Sequence, residues 1–216
     1  MTKHGLLNDE WMVSYAAGAL SEAKSLVVAT HVAFHPELQE KVADAEAIGG
    51  GLLDEAEPIK MHAGALEDIL QRIEVDEDIA SPPPAPFESA LPAPLRDYLG
   101  KELDELKWQF MGPGMKKVRL KKYTSGECLW LLRARGGTEM PLHDHRGTEF
   151  TLVLRGSYSV EGEQYTPGLM ELAGPELKNH SPIIDEGEDC ICLVVTDAPI
   201  RLHSVVGRMF QPFIGL

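Results

Sequence analysis

Six prolines fall within residues 75–94, at Pro82, Pro83, Pro84, Pro86, Pro92 and Pro94. Proline has no backbone N–H and a fixed φ, so neither a regular helix nor a central strand runs through such a window. The stretch favours a semi-rigid extended connection instead. The expectation is a chain in two parts: residues 1–74, a proline-rich linker over 75–94, and residues 95–216.

Charge separates the two parts as well. Residues 1–107 hold 8 Lys and Arg against 21 Asp and Glu, a net of -13, whereas residues 108–216 hold 12 against 13. Nearly all of the overall -14 therefore sits in the first half. Such a surface repels nucleic acid and attracts basic protein surfaces. No apolar run approaches the roughly 18 residues that a membrane span needs. The start, Met-Thr-Lys-His-Gly, lacks the pattern of a secretory leader. The expected compartment is the cytoplasm. Cys128, Cys190 and Cys192 are too few, and odd in number, for a disulfide framework. Cys190 and Cys192 alternate along Cys-Ile-Cys-Leu-Val-Val, as small apolar side chains on one face of a strand do.

The first part reads as helical. Asn8 is placed to cap a helix from Asp9, with Trp11, Met12, Tyr15 and Ala16 on one face. Ser21 is placed to cap a second, and Pro36 suits the first turn of a third, which runs toward Gly49-Gly50-Gly51. A fourth is expected from about Pro58, with Ile59, Leu66, Ile69, Leu70 and Ile73 on a face. The helices are short, and such a module gains stability by packing on a partner or a metal. Leu95 to Phe110 has the spacing of one further helix.

From Lys116 on the pattern is β. Short alternating or apolar runs at Val118–Leu120, Cys128–Leu132, Glu149–Leu154, Ser157–Val160 and Cys190–Val195 are separated by glycine turns. Closely spaced strands without intervening helices indicate a sandwich or barrel.

Within that part lies Gly137-x5-His143-x-His145-x3-Glu149-x6-Gly156. Two histidines one residue apart on a strand share a face. With Glu149, and with His180 as a candidate fourth, they form the donor set of a divalent metal. Imidazoles and one carboxylate suit Zn, Fe, Ni, Mn or Cu. A closed shell would be structural and an open one catalytic. Arg135, Tyr158 and Trp130 are candidates to line the barrel mouth, and His203 reads as an ordinary surface or core residue.

The spacing around His143, His145 and Glu149 closely resembles the first cupin motif, and Pro167-Gly168 with His180 resembles the second. The resemblance implies a jelly-roll β-barrel in which His143, His145, Glu149 and His180 hold the metal. Within the first part, Tyr15-Ala-Ala-Gly-Ala-Leu-Ser-Glu-Ala and Ser25-Leu-Val-Val-Ala-Thr-His31 look like the ChrR-type anti-sigma factors, and this resemblance extends over the whole chain. It implies an α+β protein of two domains: a helical module that sequesters an extracytoplasmic-function sigma factor, and a zinc-binding cupin that senses singlet oxygen or related oxidants. No direct contact with nucleic acid or membrane is implied.

In that family the helical module carries its own zinc, on an early histidine and a His-x3-Cys-x2-Cys run. Here the run reads His31-Val-Ala-Phe-His35-Pro-Glu-Leu38, and the early position is Leu6, with His4 nearby. The expectation is that this second zinc is lost, with His4, His31 and His35 the donors left for any weaker site. Two further readings stand beside sigma binding. One is a metal-dependent cupin enzyme such as a dioxygenase; the other is a cupin whose helical module serves only for packing or dimerisation.

Overall fold

The protein is described by a computed structural model over residues 4–75 and 90–203. Most of the proline window, including Pro82 to Pro86, and everything after His203 lie outside the described residues. Five helices come first: α1 (Asp9–Ala16), α2 (Glu22–Phe34), α3 (Pro36–Asp54), α4 (Ala65–Val75) and α5 (Ala93–Leu99). The strands follow: β1 (Gln109–Gly112), β2 (Met115–Lys122), β3 (Cys128–Ala134), β4 (His143–Asp144), β5 (Glu149–Arg155) and β6 (Tyr158–Val160). The last five are β7 (Glu163–Tyr165), β8 (Met170–Ala173), β9 (Ile183–Ile184), β10 (Cys190–Thr196) and β11 (Arg201–Leu202).

The caps expected from sequence are present. The Asn8 side chain accepts from the Trp11 N–H, and the Ser21 hydroxyl from the Lys24 N–H. Pro36 opens α3. Three boundaries differ from expectation. α3 continues through Gly49-Gly50-Gly51 to Asp54, although each glycine weakens a helix by about 1 kcal/mol against alanine; nothing packs on those glycines to explain it. α4 begins at Ala65 rather than near Pro58, because Gly64 has φ +91° and stands outside any right-handed helix. The helix expected over 95–110 ends at Leu99, where Gly100 takes the left-handed conformation and closes onto the Arg96 carbonyl. Leu103 and Leu106 then belong to a 3-10 turn packed on the core, and Phe110 to β1.

The strands form a six-stranded sheet in the order β1-β2-β3-β10-β5-β8, a three-stranded sheet β7-β6-β9 and the pair β11-β4. Every pairing is antiparallel. The period of two along each strand sorts side chains between two cores. Leu129, Leu131, Phe150, Leu152, Ile191, Leu193 and Val195 point out of the large sheet toward the helices. Trp130, Ala134, Val153, Cys190, Cys192 and Val194 point into the barrel, against Tyr158, Tyr165 and Ile184 of the small sheet. With both faces covered, β10 is buried along its whole length. That is why it reads as an unbroken apolar run rather than an alternating one. Cys190 and Cys192 are inward-facing and buried, their sulfurs 3.6 Å apart.

The helical module does not stand alone. Met12, Val27, Val28 and Leu38 share one core with Leu95 of α5 and the outer face of the large sheet. The Trp11 ring meets Phe150 edge-on at 4.8 Å. Ser21 donates to Glu127 over 2.8 Å, and the Lys24 ammonium lies 2.9 Å from Asp197. The large sheet thus supplies the buried area that four short helices lack.

Candidate metal centre

His143 lies on β4, paired with Leu202 of β11, and bridges backbone to backbone with His180. His145 is two residues further along and turned to the same side. The three rings pack together, two pairs edge-on and the third tilted, with centroids 4.9 Å (His143–His145), 5.1 Å (His143–His180) and 5.2 Å (His145–His180) apart. Each offers a nitrogen, and these nitrogens lie within 4.8 Å of one another. Among the described residues this is the one cluster of three or more potential ligands.

The chemistry of the donors fits a dication. All three histidines are buried. Burial, reinforced by their neighbours' rings, holds His145 near pKa 4 and His180 near 3, and burial lowers His143 too. They are therefore neutral at pH 7, with lone pairs available. The His143 Nδ1–H donates to the Pro141 carbonyl over 2.8 Å, leaving Nε2 as its ligand atom. His145 Nε2 and His180 Nδ1 are buried with no hydrogen-bond partner among the described residues. Such orphaned nitrogens call for a ligand. A divalent metal is what this set suits.

Glu149 opens β5 and lines the same cavity, outside the histidine cluster itself. Its carboxylate accepts from the Thr151 hydroxyl over 3.4 Å. Burial, and then the nearby Glu171, push it up to about pKa 8, a cost that a dication beside it would reverse. Sequence reading missed Glu171. It faces inward from β8, one carboxylate oxygen 3.5 Å from His180 Nε2 and the other accepting from Tyr158 Oη over 2.7 Å. Burial raises it to about 7. The available signal was the alternation in Met170-Glu-Leu-Ala173, which puts Glu171 on the face opposite Met170 and Leu172.

Of the other candidates, Tyr158 and Trp130 line the cavity, whereas Arg135 does not. His203 is exposed and donates to Asp144, 2.9 Å away; Asp144 also accepts from the Asn179 N–H. Asp144 thereby ties the β4 segment both to the loop before His180 and to the residue after β11.

The helical-module histidines go elsewhere. His4 meets Glu163 at 2.7 Å and lies against the Tyr165 ring. His31 and His35 both donate to one carbonyl, that of Gly168, over 2.9 and 2.7 Å. The Leu7 N–H donates to the other nitrogen of His31 over 3.4 Å. Leu38, at the position of the family's last cysteine, is fully buried in the shared core. His4 thus has partners of its own, whereas His31 and His35, their rings 4.9 Å apart, converge on a backbone carbonyl.

No helix among the described residues is long and apolar enough to cross a membrane. Residues 98–199 match the ChrR cupin-like domain. The chain is 40% identical to the anti-sigma-E factor ChrR of Cereibacter sphaeroides, with all of both proteins covered. The crystal structure of Rhodobacter sphaeroides SigE in complex with the anti-sigma ChrR superposes with a TM-score of 0.75 at 36% identity, covering 90% of this chain and 98% of that one. A full-length identity of that size and the shared order of helices ahead of a cupin-like sheet domain lead to one conclusion: this chain belongs to the ChrR family of anti-sigma factors.

Proposed function

We propose that the protein is a cytoplasmic anti-sigma factor that holds an extracytoplasmic-function sigma factor through its helical module and releases it on a signal received by the cupin. The observation that carries this reading is α4. Leu66, Ile69, Leu70 and Ile73 form one stripe at helical spacing, and each is 47–64% exposed. Leu52 and Leu53 at the end of α3 are exposed as well. A contiguous apolar surface of this kind marks an interaction site. It is flanked by Glu67 and Asp68 on a strongly acidic half of the chain, which suits a partner with a basic surface. The relative crystallised with SigE shares this architecture. The test is co-expression with the extracytoplasmic-function sigma factors of the same genome. Co-purification of one of them at moderate salt is expected, and failure with all of them at low salt defeats the reading.

Zinc is the proposed metal, held by His143, His145 and His180 with Glu149 as fourth ligand, and Glu171 beside His180 in support. A zinc ion there would act as a fixed cross-link between β4, β5 and the loop before β9. The domain division at the proline window, 1–74 and 95–216 about the 75–94 linker, belongs to the same proposal: the partner-binding and sensing parts are separate in sequence while sharing a core. The oxygenase alternative shares these ligands, and the cavity beside the cluster gives it room. Metal analysis separates the two. Stoichiometric zinc favours regulation, whereas iron with oxygen consumption favours an enzyme.

A further inference from the structure

β2 reads Met115-Lys-Lys-Val-Arg-Leu-Lys-Lys122 and carries five of the chain's 20 Lys and Arg. Strand alternation puts Lys117 and Arg119 on the barrel face with Met115. Between Arg119 and Lys121 the register with β3 slips by one residue. Such a bulge re-aims the side chains that follow it. Lys121 turns to the helices, where its ammonium meets Glu22 at 2.6 Å, while Lys122 stands opposite Cys128. Arg119 and Lys122 then line one cavity of about 150 Å³, to which the histidine cluster, Glu149 and Glu171 contribute nothing. Both cations are exposed, and neither has an ion pair among the described residues. The floor is buried and apolar, made by Trp130 and Ile200. Lys117, also buried, adds a third positive charge 6.0 Å from the Trp130 ring. In a chain of net charge -14, this is a local cationic recess with an apolar base.

We infer that this recess is a binding site for a small organic carboxylate, its head held by Arg119 and Lys122 and its short apolar body resting on Trp130 and Ile200. A guanidinium presents a planar fork that matches a carboxylate, and such charge-assisted bonds are roughly twice as strong as neutral ones. A cavity of about 150 Å³ takes a body the size of benzene. The walls continue into the junction with the helical module. Cys128 and Ala198 line the recess, and each directly follows an acid, Glu127 and Asp197. Those two acids hold the Lys24 ammonium of α2 between them, at 3.7 and 2.9 Å. Thr196, also in the wall, pairs across the sheet with Glu149. An occupant therefore lies against the strand ends that fasten α2 to the barrel.

Benzoate, benzamide and inorganic phosphate are the probes, titrated by calorimetry into the full-length, metal-loaded chain. Alkylation of Cys128 by iodoacetamide, followed by peptide mass spectrometry, is the second readout, because that thiol lines the recess. Benzoate is expected to saturate at one per chain and, at saturation, to slow Cys128 alkylation about tenfold. Benzamide has the body without the charge, and phosphate the charge without the body; each is expected to bind at least about tenfold more weakly. The double variant Arg119→Gln, Lys122→Gln is expected to weaken benzoate by about tenfold or more. Its metal content and circular dichroism should be unchanged, since both side chains are exposed. Either single variant serves if the double does not fold. The inference is overturned by absence of saturable benzoate binding, by benzamide or phosphate binding as tightly as benzoate, by an unprotected Cys128 at saturation, or by undiminished affinity in the folded variant.

Discussion

The Nδ1–H of His31 donates to the carbonyl of Gly168 over 2.9 Å, joining the third turn of α2 to a barrel turn 137 residues later in the chain. His35 donates to the same oxygen from the residue that closes α2. Gly168 has φ +89°, and a Cβ there would lie 3.1 Å from Phe34, so the turn accepts only glycine without strain. Three residues on, β8 carries Glu171 into the barrel beside His180. A short path of backbone therefore runs from the cupin's histidine cluster to α2 of the helical module. His31 and His35 make this junction directly.

His31→Ala removes a fully buried ring with both nitrogens bonded and leaves a cavity, so it is expected to lower stability by about 2–4 kcal/mol. His35 is half-buried and makes one of the two bonds to Gly168, and His35→Ala is expected to lose about 1 kcal/mol. Gly168→Ala should be as damaging as His31→Ala. Urea unfolding of the four proteins checks the order; a His31→Ala chain as stable as the parent would show the junction to be incidental.

Acid should loosen the same junction. Burial and the His35 ring hold His31 near pKa 4, against 6.5 when unfolded. Between those values the unfolded chain binds the extra proton and the folded one does not. Stability therefore falls as pH drops from about 6.5, and the loss from this group, roughly 3 kcal/mol in total, is complete near pH 4. His31→Gln cannot take up that proton. Its stability, measured by urea titration at pH 7, 6 and 5 with the metal kept bound, should fall less steeply than the parent's; identical slopes would rule His31 out as the source.

The legible parts of this protein were those set by local periodicity and local caps. His143-x-His145 announces a shared face because a strand repeats every two residues, and Asn8, Ser21 and Pro36 mark helix starts because capping is a matter of a few neighbouring atoms. What stayed hidden depended on distant chain. Glu171 is one acid in an otherwise apolar strand until the sheet shows which face is inside. The leucine spacing over 95–110 is real, but Gly100 breaks the helix and Leu103 and Leu106 face the sheet from a 3-10 turn. His31 and His35 read from sequence only as donors left over from a lost zinc site, and their partner is a backbone carbonyl, which carries no side-chain signature at all.

Metal content should track the histidine cluster and not the helical module. His145→Ala and His180→Ala each remove a ring from the cluster, and purified protein is expected to hold little metal by mass spectrometry. Glu171→Gln keeps the ligands but weakens support at His180, and a 10–100-fold loss in affinity by chelator competition is expected. Paired replacement of His31 and His35 should leave metal stoichiometry at the parent's value. Loss of metal in that pair, with the cupin still folded, would locate a binding site in the helical module instead.

The stripe on α4 offers the sharpest separation of partner binding from folding. Leu66, Ile69, Leu70 and Ile73 are all exposed, so replacing them together with serine removes no core side chain among the described residues. Surface changes of this type shift stability by within about 0.5 kcal/mol each, and serine on an exposed helix adds a further small propensity loss. An apolar stripe seated in a partner's groove would, by contrast, lose most of its binding energy, since a few central apolar anchors dominate such interfaces. The quadruple serine chain is therefore expected to keep its metal and nearly all of its thermal stability while losing sigma-factor co-purification. The control changes charge on the same helix: Glu67 and Asp68 to Asn and Gln should weaken capture mainly at low salt, where steering by the acidic face matters most. A serine variant that still captures the sigma factor at full strength would move the interface off α4.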